Sequence, residues 1–236
     1  MAHPARLDLV LLWHMHQPDY RNHRSGEYVL PWVYLHAMKD YTDMAYHLET
    51  HPGVKAVVNF VPVLVDQLED YALQFDLGEV RDPLLKLLAT PDLDHVDRAA
   101  RALVLEACFK SNHRTMLDPF PHYKRLQEIH HLLGGKGEGA LAYLSGQYLG
   151  DLLVWYHLAW TGESVRRHEE TMVRLMAKGE GYTHADRFEL FSLIGEQIRG
   201  IVPRYRKLAE RGQIELSTTP YSHPLAPLLL DFASAR

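Results

Sequence analysis

The sequence predicts an α/β protein, a parallel sheet or barrel with a large helical insertion between its second and third strands. Three observations predict it. "LDLVLLW" and "VKAVVNF" are short runs of apolar, β-branched and aromatic character, the pattern of strands buried on both faces. A helical pattern lies between them, and strand–helix alternation argues for βα units and a parallel sheet. A long helical block then leads to a third strand-like run, "QIELS".

The elements follow in order. After "LDLVLLW", a polar loop runs through "RNHRSGEYVLPW" with Gly26 and Pro31. In "VYLHAMKDYTDMAYHLETHPG", Leu35, Met38, Tyr41, Met44 and Leu48 recur at helical steps, and Pro52-Gly53 stops the helix. After "VKAVVNF", Pro62 opens a helix in "PVLVDQLEDYAL", where proline is tolerated in the first turn. Helices are then predicted in "DHVDRAARALVLEACFKSNHRTML", "YKRLQEIHHLL", "GQYLGDLLVWYHLAWTG", "ESVRRHEETMVRLMAKG" and "HADRFELFSLIGEQIRGIVPRYRKLAERG". Thr183 with Asp186 resembles a capping signal, and Pro203 should kink or divide the last helix. "GGKGEG" at 134–139 is expected to be a flexible loop and carries no nucleotide-binding fingerprint.

The chain has 236 residues, enough to bury a sizeable core without disulfides or structural metal. Its net charge of −5 argues against nonspecific nucleic-acid binding, which needs basic surface. Cys108 is the single cysteine, so no intramolecular disulfide and no oxidising compartment are implied. It is expected to be a buried small hydrophobe on an amphipathic helix. The N-terminal apolar run is too short to span a membrane and lacks a following small-residue cleavage site, so a cytoplasmic location is expected. Among 16 histidines, His95, His113, His130, His131 and His168 read as solvated helix-surface groups.

Ligands of parallel α/β sheets bind at the carboxyl ends of strands. The first strand end offers His14, His16 and Gln17; the second offers Asn59; the third offers Glu215 in the strand and His223 after it. His14 and His16 are two apart, so both point the same way, while Trp13 and Met15 point into packing. These imidazoles either bind a ligand or make ordinary backbone and solvent hydrogen bonds. A further alternative is a metal site, with Asp40 or Glu215 as third ligand. The apolar flanks of Glu215 favour an interior strand, where a carboxylate must be paired or functional. Trp32, Tyr20, Tyr28 and Tyr221 add aromatic faces of the kind that suit sugar C–H faces.

"HMHQP" at the first strand end and "GQIELSTTPYSHPLAPLL" after the helical block resemble glycoside hydrolase family 57, its α-amylase/α-mannosidase-like branch in particular. The likeness extends through "LPWVYLHAMKDYTDMAYHLE", "VNFVPVLVDQLEDY" and "SGQYLGDLLVWYHLAWTG". It implies a partial (β/α)7-type barrel over residues 1–236, with the helical insertion at about 80–211. The implied activity is a retaining glycoside hydrolase or glucanotransferase acting on α-1,4-glucans. By resemblance, His14, His16, Gln17 and Glu215 line the sugar subsite, and Trp32, Asp40 and His223 complete the substrate-binding set. The family's nucleophile Glu and acid/base Asp, a pair roughly 5 Å apart, lie in later motifs. They are therefore expected beyond Arg236, so the chain is expected to be an inactive N-terminal part whose partner is the missing C-terminal part. No cofactor and no metal are assigned, and no nucleic acid or membrane partner is expected. The alternatives are a non-catalytic carbohydrate-binding fragment, or a metal-dependent hydrolase or deacetylase on a similar barrel.

Overall fold

Three parallel strands form one sheet in the computed structural model, which describes residues 9–134, 139 and 142–235: β1 (Leu12–Met15), β2 (Ala56–Phe60) and β3 (Ile214–Thr218), in the order β1-β2-β3. His14 pairs with Asn59 and Asn59 with Ser217, while Leu12, Val57 and Glu215 form the row before them. Alternation puts both rows on one face of the sheet. Trp13, Met15, Val58 and Phe60 take the other face, where Met15 and Val58 are buried. β1 begins later than the "LDLVLLW" reading and takes in His14 and Met15; residues 7 and 8 of that reading lie outside the described residues.

The helices cover the face of Met15 and Val58. α1 (Trp32–His36) continues through a π-helical turn (Ala37–Tyr41) into α2 (Thr42–Thr50). α3 (Pro62–Leu77) starts on its N-terminal proline, as its sequence predicts. Between it and β3 come α4 (Pro83–Ala89), α5 (Arg98–Ala107), a second π turn (His113–Leu117), α6 (Pro121–Gly134), α7 (Gly146–Trp160), α8 (Glu163–His168), α9 (Glu170–Lys178) and α10 (His184–Glu210). α7 is buried along nearly its whole length, which explains why apolar residues lie all round it, with Asp151 and His157 buried and hydrogen-bonded. α11 (Ala226–Leu230) and a 3₁₀ turn (Phe232–Ala235) follow β3. No helix among the described residues is long and apolar enough to cross a membrane.

Three local expectations are sharpened. "ESVRRHEETMVRLMAKG" forms two helices, α8 and α9, because Glu169 takes an extended backbone between them. Pro203 does not divide α10, which runs continuously to Glu210. The proline removes one donor, yet Ile198, Ile201, Tyr205 and Leu208 stay buried on either side of it and hold the helix. Asp186 completes a capping box in place of Glu: its N–H donates to Thr183 Oγ1 and its carboxylate accepts the Thr183 N–H. Residues 135–138 of the "GGKGEG" loop lie outside the described residues.

Two buried side chains position the strands. Gln213, just before β3, donates through Nε2 to the carbonyls of Leu48, His51 and Val54, tying the third strand to the end of α2. Tyr205 of α10 meets the Phe60 ring edge-on at 5.0 Å and donates its hydroxyl to the Tyr41 carbonyl at 2.9 Å. Burial removes Cys108 from water and pushes its thiol pKa far up, so it acts as the small hydrophobe its sequence context predicts.

Candidate functional site

Three histidines converge at the strand ends. His14 and His16 leave β1 on the same side, two residues apart, and His223 comes from the loop after β3. One ligating nitrogen from each lies within 4.8 Å of the others. The His223 ring stacks on His16 at 4.9 Å between centroids and lies 4.7 Å from His14. His14 Nδ1 donates to Asn59 Oδ1 at 2.8 Å, and Asn59 Nδ2 donates to Ser217 Oγ at 2.9 Å. One row of side chains thus crosses all three strands, as the register requires. Burial, then the neighbouring His223 and His14, lower the His16 pKa, which favours the neutral form of its imidazole.

The loop after His16 is clamped from below. Gln67 of α3 is fully buried; its Nε2 donates to the Pro18 carbonyl and its Oε1 accepts the Tyr20 N–H, both at 2.9 Å. Arg21 lies between Asp19 and Asp66, within 2.8 and 2.7 Å, and Tyr221 donates its hydroxyl to the same Asp66 at 2.7 Å. The loops after β1 and after β3 are therefore both tied to α3. The backbone of "HQPDY" is held by buried and paired groups, which fixes where Gln17 points.

Gln17 faces an open cleft of about 630 Å³ lined by Tyr20, Trp32, His36, Lys110, Ser111 and Trp160. Tyr20 donates its hydroxyl to Gln17 Oε1 at 3.1 Å. The Trp32 and Trp160 rings are 5.6 Å apart, and His36 meets Trp160 edge-on at 5.7 Å. The Trp160 indole N–H is buried without a protein acceptor among the described residues. An apolar aromatic wall with an amide and an imidazole on its rim suits a ring that is apolar on its face and polar at its edge.

The predicted residues fall into two groups and two outliers. His14, His16 and His223 form the imidazole cluster; Gln17 and Trp32 line the cleft. Asp40 lies in the first π turn and accepts from His36 Nδ1 at 2.5 Å and from Lys39 at 3.2 Å. Burial raises its pKa, but the bond to His36 and the charge of Lys39 outweigh that and leave it below the ordinary value. It therefore orients a cleft residue rather than lining the cleft. Glu215 shares the sheet face of His14 but sits one row back.

Three expectations are corrected. β3 is an edge strand among the described residues, and its Glu215 and Leu216 are both exposed. Tyr28 is not a rim aromatic: it is buried against Tyr71 at 4.1 Å and donates to Asp70. The third group beside His14 and His16 is His223, not the carboxylate of Asp40 or Glu215. Sequence reasoning missed Ser217, His36 and Trp160. Ser217 was accessible from the two-residue spacing to Glu215, whereas Trp160 follows from nothing local because it closes a helix that is otherwise core.

The model of glycosyl hydrolase family 57 matches residues 10–236. No curated protein and no solved structure matches the chain. The match covers both β1 with its histidines and β3 with His223, the segments that build the strand-end site, and nearly the whole chain. The chain belongs to glycosyl hydrolase family 57.

Proposed function

We infer that the strand ends and the adjoining cleft bind an α-1,4-linked glucan, for retaining hydrolysis or for transfer of glucose units. Membership of the family makes glycoside hydrolase or glucanotransferase the class of activity. The observation that carries the finer reading is the continuity from His16 to Gln17. The first belongs to the imidazole cluster, and the next residue lines an aromatic cleft. A sugar ring stacked on Trp32 presents hydroxyls to Gln17 and His36, and its neighbour in the glucan reaches the histidines.

The residues gathered here bind and orient. Imidazole, amide and hydroxyl groups donate to and accept from sugar hydroxyls, and fixed partners lower the entropy lost on binding. Retaining chemistry needs two carboxylates roughly 5 Å apart, and the cluster of His14, His16, His223, Asn59 and Ser217 contains none. Glu215 is a single exposed carboxylate and is given no role as nucleophile. Calorimetric titration of the 236-residue chain with maltohexaose tests the reading. Trp32→Ala is expected to weaken binding by up to about tenfold, in line with an aromatic contact worth about 0.5–1.5 kcal/mol. Binding that is absent, or unchanged in Trp32→Ala and Gln17→Ala, would reject it.

A further inference from the structure

We propose that His14, His16 and His223 form a binding site for one divalent transition ion of the zinc class, with a fourth coordination position left to water or a substrate oxygen. The donor set is the first argument. Three imidazoles without thiolate suit zinc, copper or nickel, whereas calcium and magnesium require oxygen ligands. Their nitrogens lie within 4.8 Å of one another. A tetrahedral zinc site with bonds of about 2.0–2.1 Å places its nitrogens about 3.3 Å apart. Each ring closes that gap by moving about 1 Å, within the freedom of rings that are not fully buried.

The orientation of His14 is the second argument. Its Nδ1–H is given to Asn59 Oδ1, so Nε2 carries the lone pair that can bind an ion. Metal-ligating histidines are oriented in this way, with the second ring nitrogen donating to a fixed acceptor. Asn59 is itself fixed by Ser217. Two adjacent strands therefore serve to aim one ring of β1.

The backbone of His223 is the third argument, and it is independent of the others. Its φ is 53°, the one positive value outside glycine among the described residues. A left-handed conformation costs a non-glycine residue about 1–2 kcal/mol. Such strain persists where the surroundings impose it, and it concentrates at functional sites. Here its N–H donates to the Pro220 carbonyl at 2.9 Å, and the turn so closed lays the imidazole on that of His16.

The glucan reading uses the same histidines, so the ion is measured without sugar, and maltohexaose binding at Trp32 and Gln17 is judged separately. The chelator-treated chain is titrated with zinc, and with cobalt(II) as a spectroscopic probe. One tight site per chain is expected, with the visible bands of four-coordinate cobalt. His14→Ala, His16→Ala and His223→Ala should each weaken zinc binding more than about 100-fold, and Asn59→Ala by about 10- to 100-fold. His223→Asn, which tolerates the left-handed backbone, should lose zinc while the metal-free melting temperature is unchanged. His168→Ala, on an exposed helix end, should bind as the parent does. Equal zinc affinity and stoichiometry in the parent and the triple alanine variant would overturn the proposal, as would cobalt bands that survive His223→Asn.

Discussion

Gln67 shows how much one side chain contributes to the site. It touches no candidate ligand, yet its amide satisfies the Pro18 carbonyl and the Tyr20 N–H and holds the loop that carries Gln17. Gln67→Leu keeps the volume and leaves both backbone groups without a partner. Unsatisfied buried polar groups cost about 1–3 kcal/mol each. The variant is expected to unfold at lower urea by a similar amount and to lose hydrogen-exchange protection at the Tyr20 amide. Unchanged protection there would show that the loop is held by other contacts. The amino-acid pattern marks Gln67 only as a polar residue on a helix; that it faces inward is evident from the docking of α3 alone.

At the scale of elements, capping and proline signals were legible and long-range consequences were not. Thr183 with Asp186 predicted the start of α10, and Pro62 the start of α3. The same logic applied to Asp82-Pro83, which begins α4 with Asp82 accepting from the N–H groups of Leu84 and Leu85, a start the periodicity reading passed over. Pro203 misled because tertiary burial of its neighbours overrides the lost hydrogen bond. Proline is about 3 kcal/mol less favourable than alanine inside a helix, and Pro203 is exposed. Pro203→Ala should therefore restore a donor to the Arg199 carbonyl and stabilise the protein by about 1–2 kcal/mol, part of the gain being offset by unfolded-state entropy. Thermal unfolding measures this; a lower melting temperature in the variant would mean that α10 needs its proline to pack.

Across the whole molecule, two buried groups set opposing pH dependences. His157 of α7 donates from Nδ1 to the Leu153 carbonyl and lies 3.0 Å from the Tyr34 hydroxyl, and burial lowers its pKa to about 4. The unfolded chain, with an ordinary value near 6.5, binds a proton that the folded chain refuses. Stability from this group is therefore present above pH 6.5 and is lost as the pH falls towards 4, by up to about 3 kcal/mol. Burial raises the Asp82 carboxyl to about 6, against bonds from Tyr71, Leu85 and Leu84 that lower it. Here the folded chain holds the extra proton, so stability falls as pH rises from 3.8 to about 6. The two slopes oppose one another in the parent between pH 4 and 6. Asp82→Asn removes one of them, and its urea midpoint should climb more steeply with pH across that window than the parent's. Parallel profiles for the two proteins would sink this account.

The sequence by itself determined the three strands, their order along the chain, most of the helices and the strand-end residues His14, His16, Asn59 and His223, since these rest on periodicity, turn chemistry and short motifs. It also carried the family. Tertiary structure alone decided which of those residues meet. The register set His14 opposite Asn59 and Asn59 opposite Ser217, and the turn after Pro220 brought His223 onto His16. It also decided that Tyr28 belongs to the core, that Asp40 serves His36, and that Trp160 forms the cleft wall with Trp32. The physical reason is range. Periodicity and capping act over a few residues, whereas strand register and helix docking join groups far apart in sequence, and only packing selects among the pairings that local patterns allow.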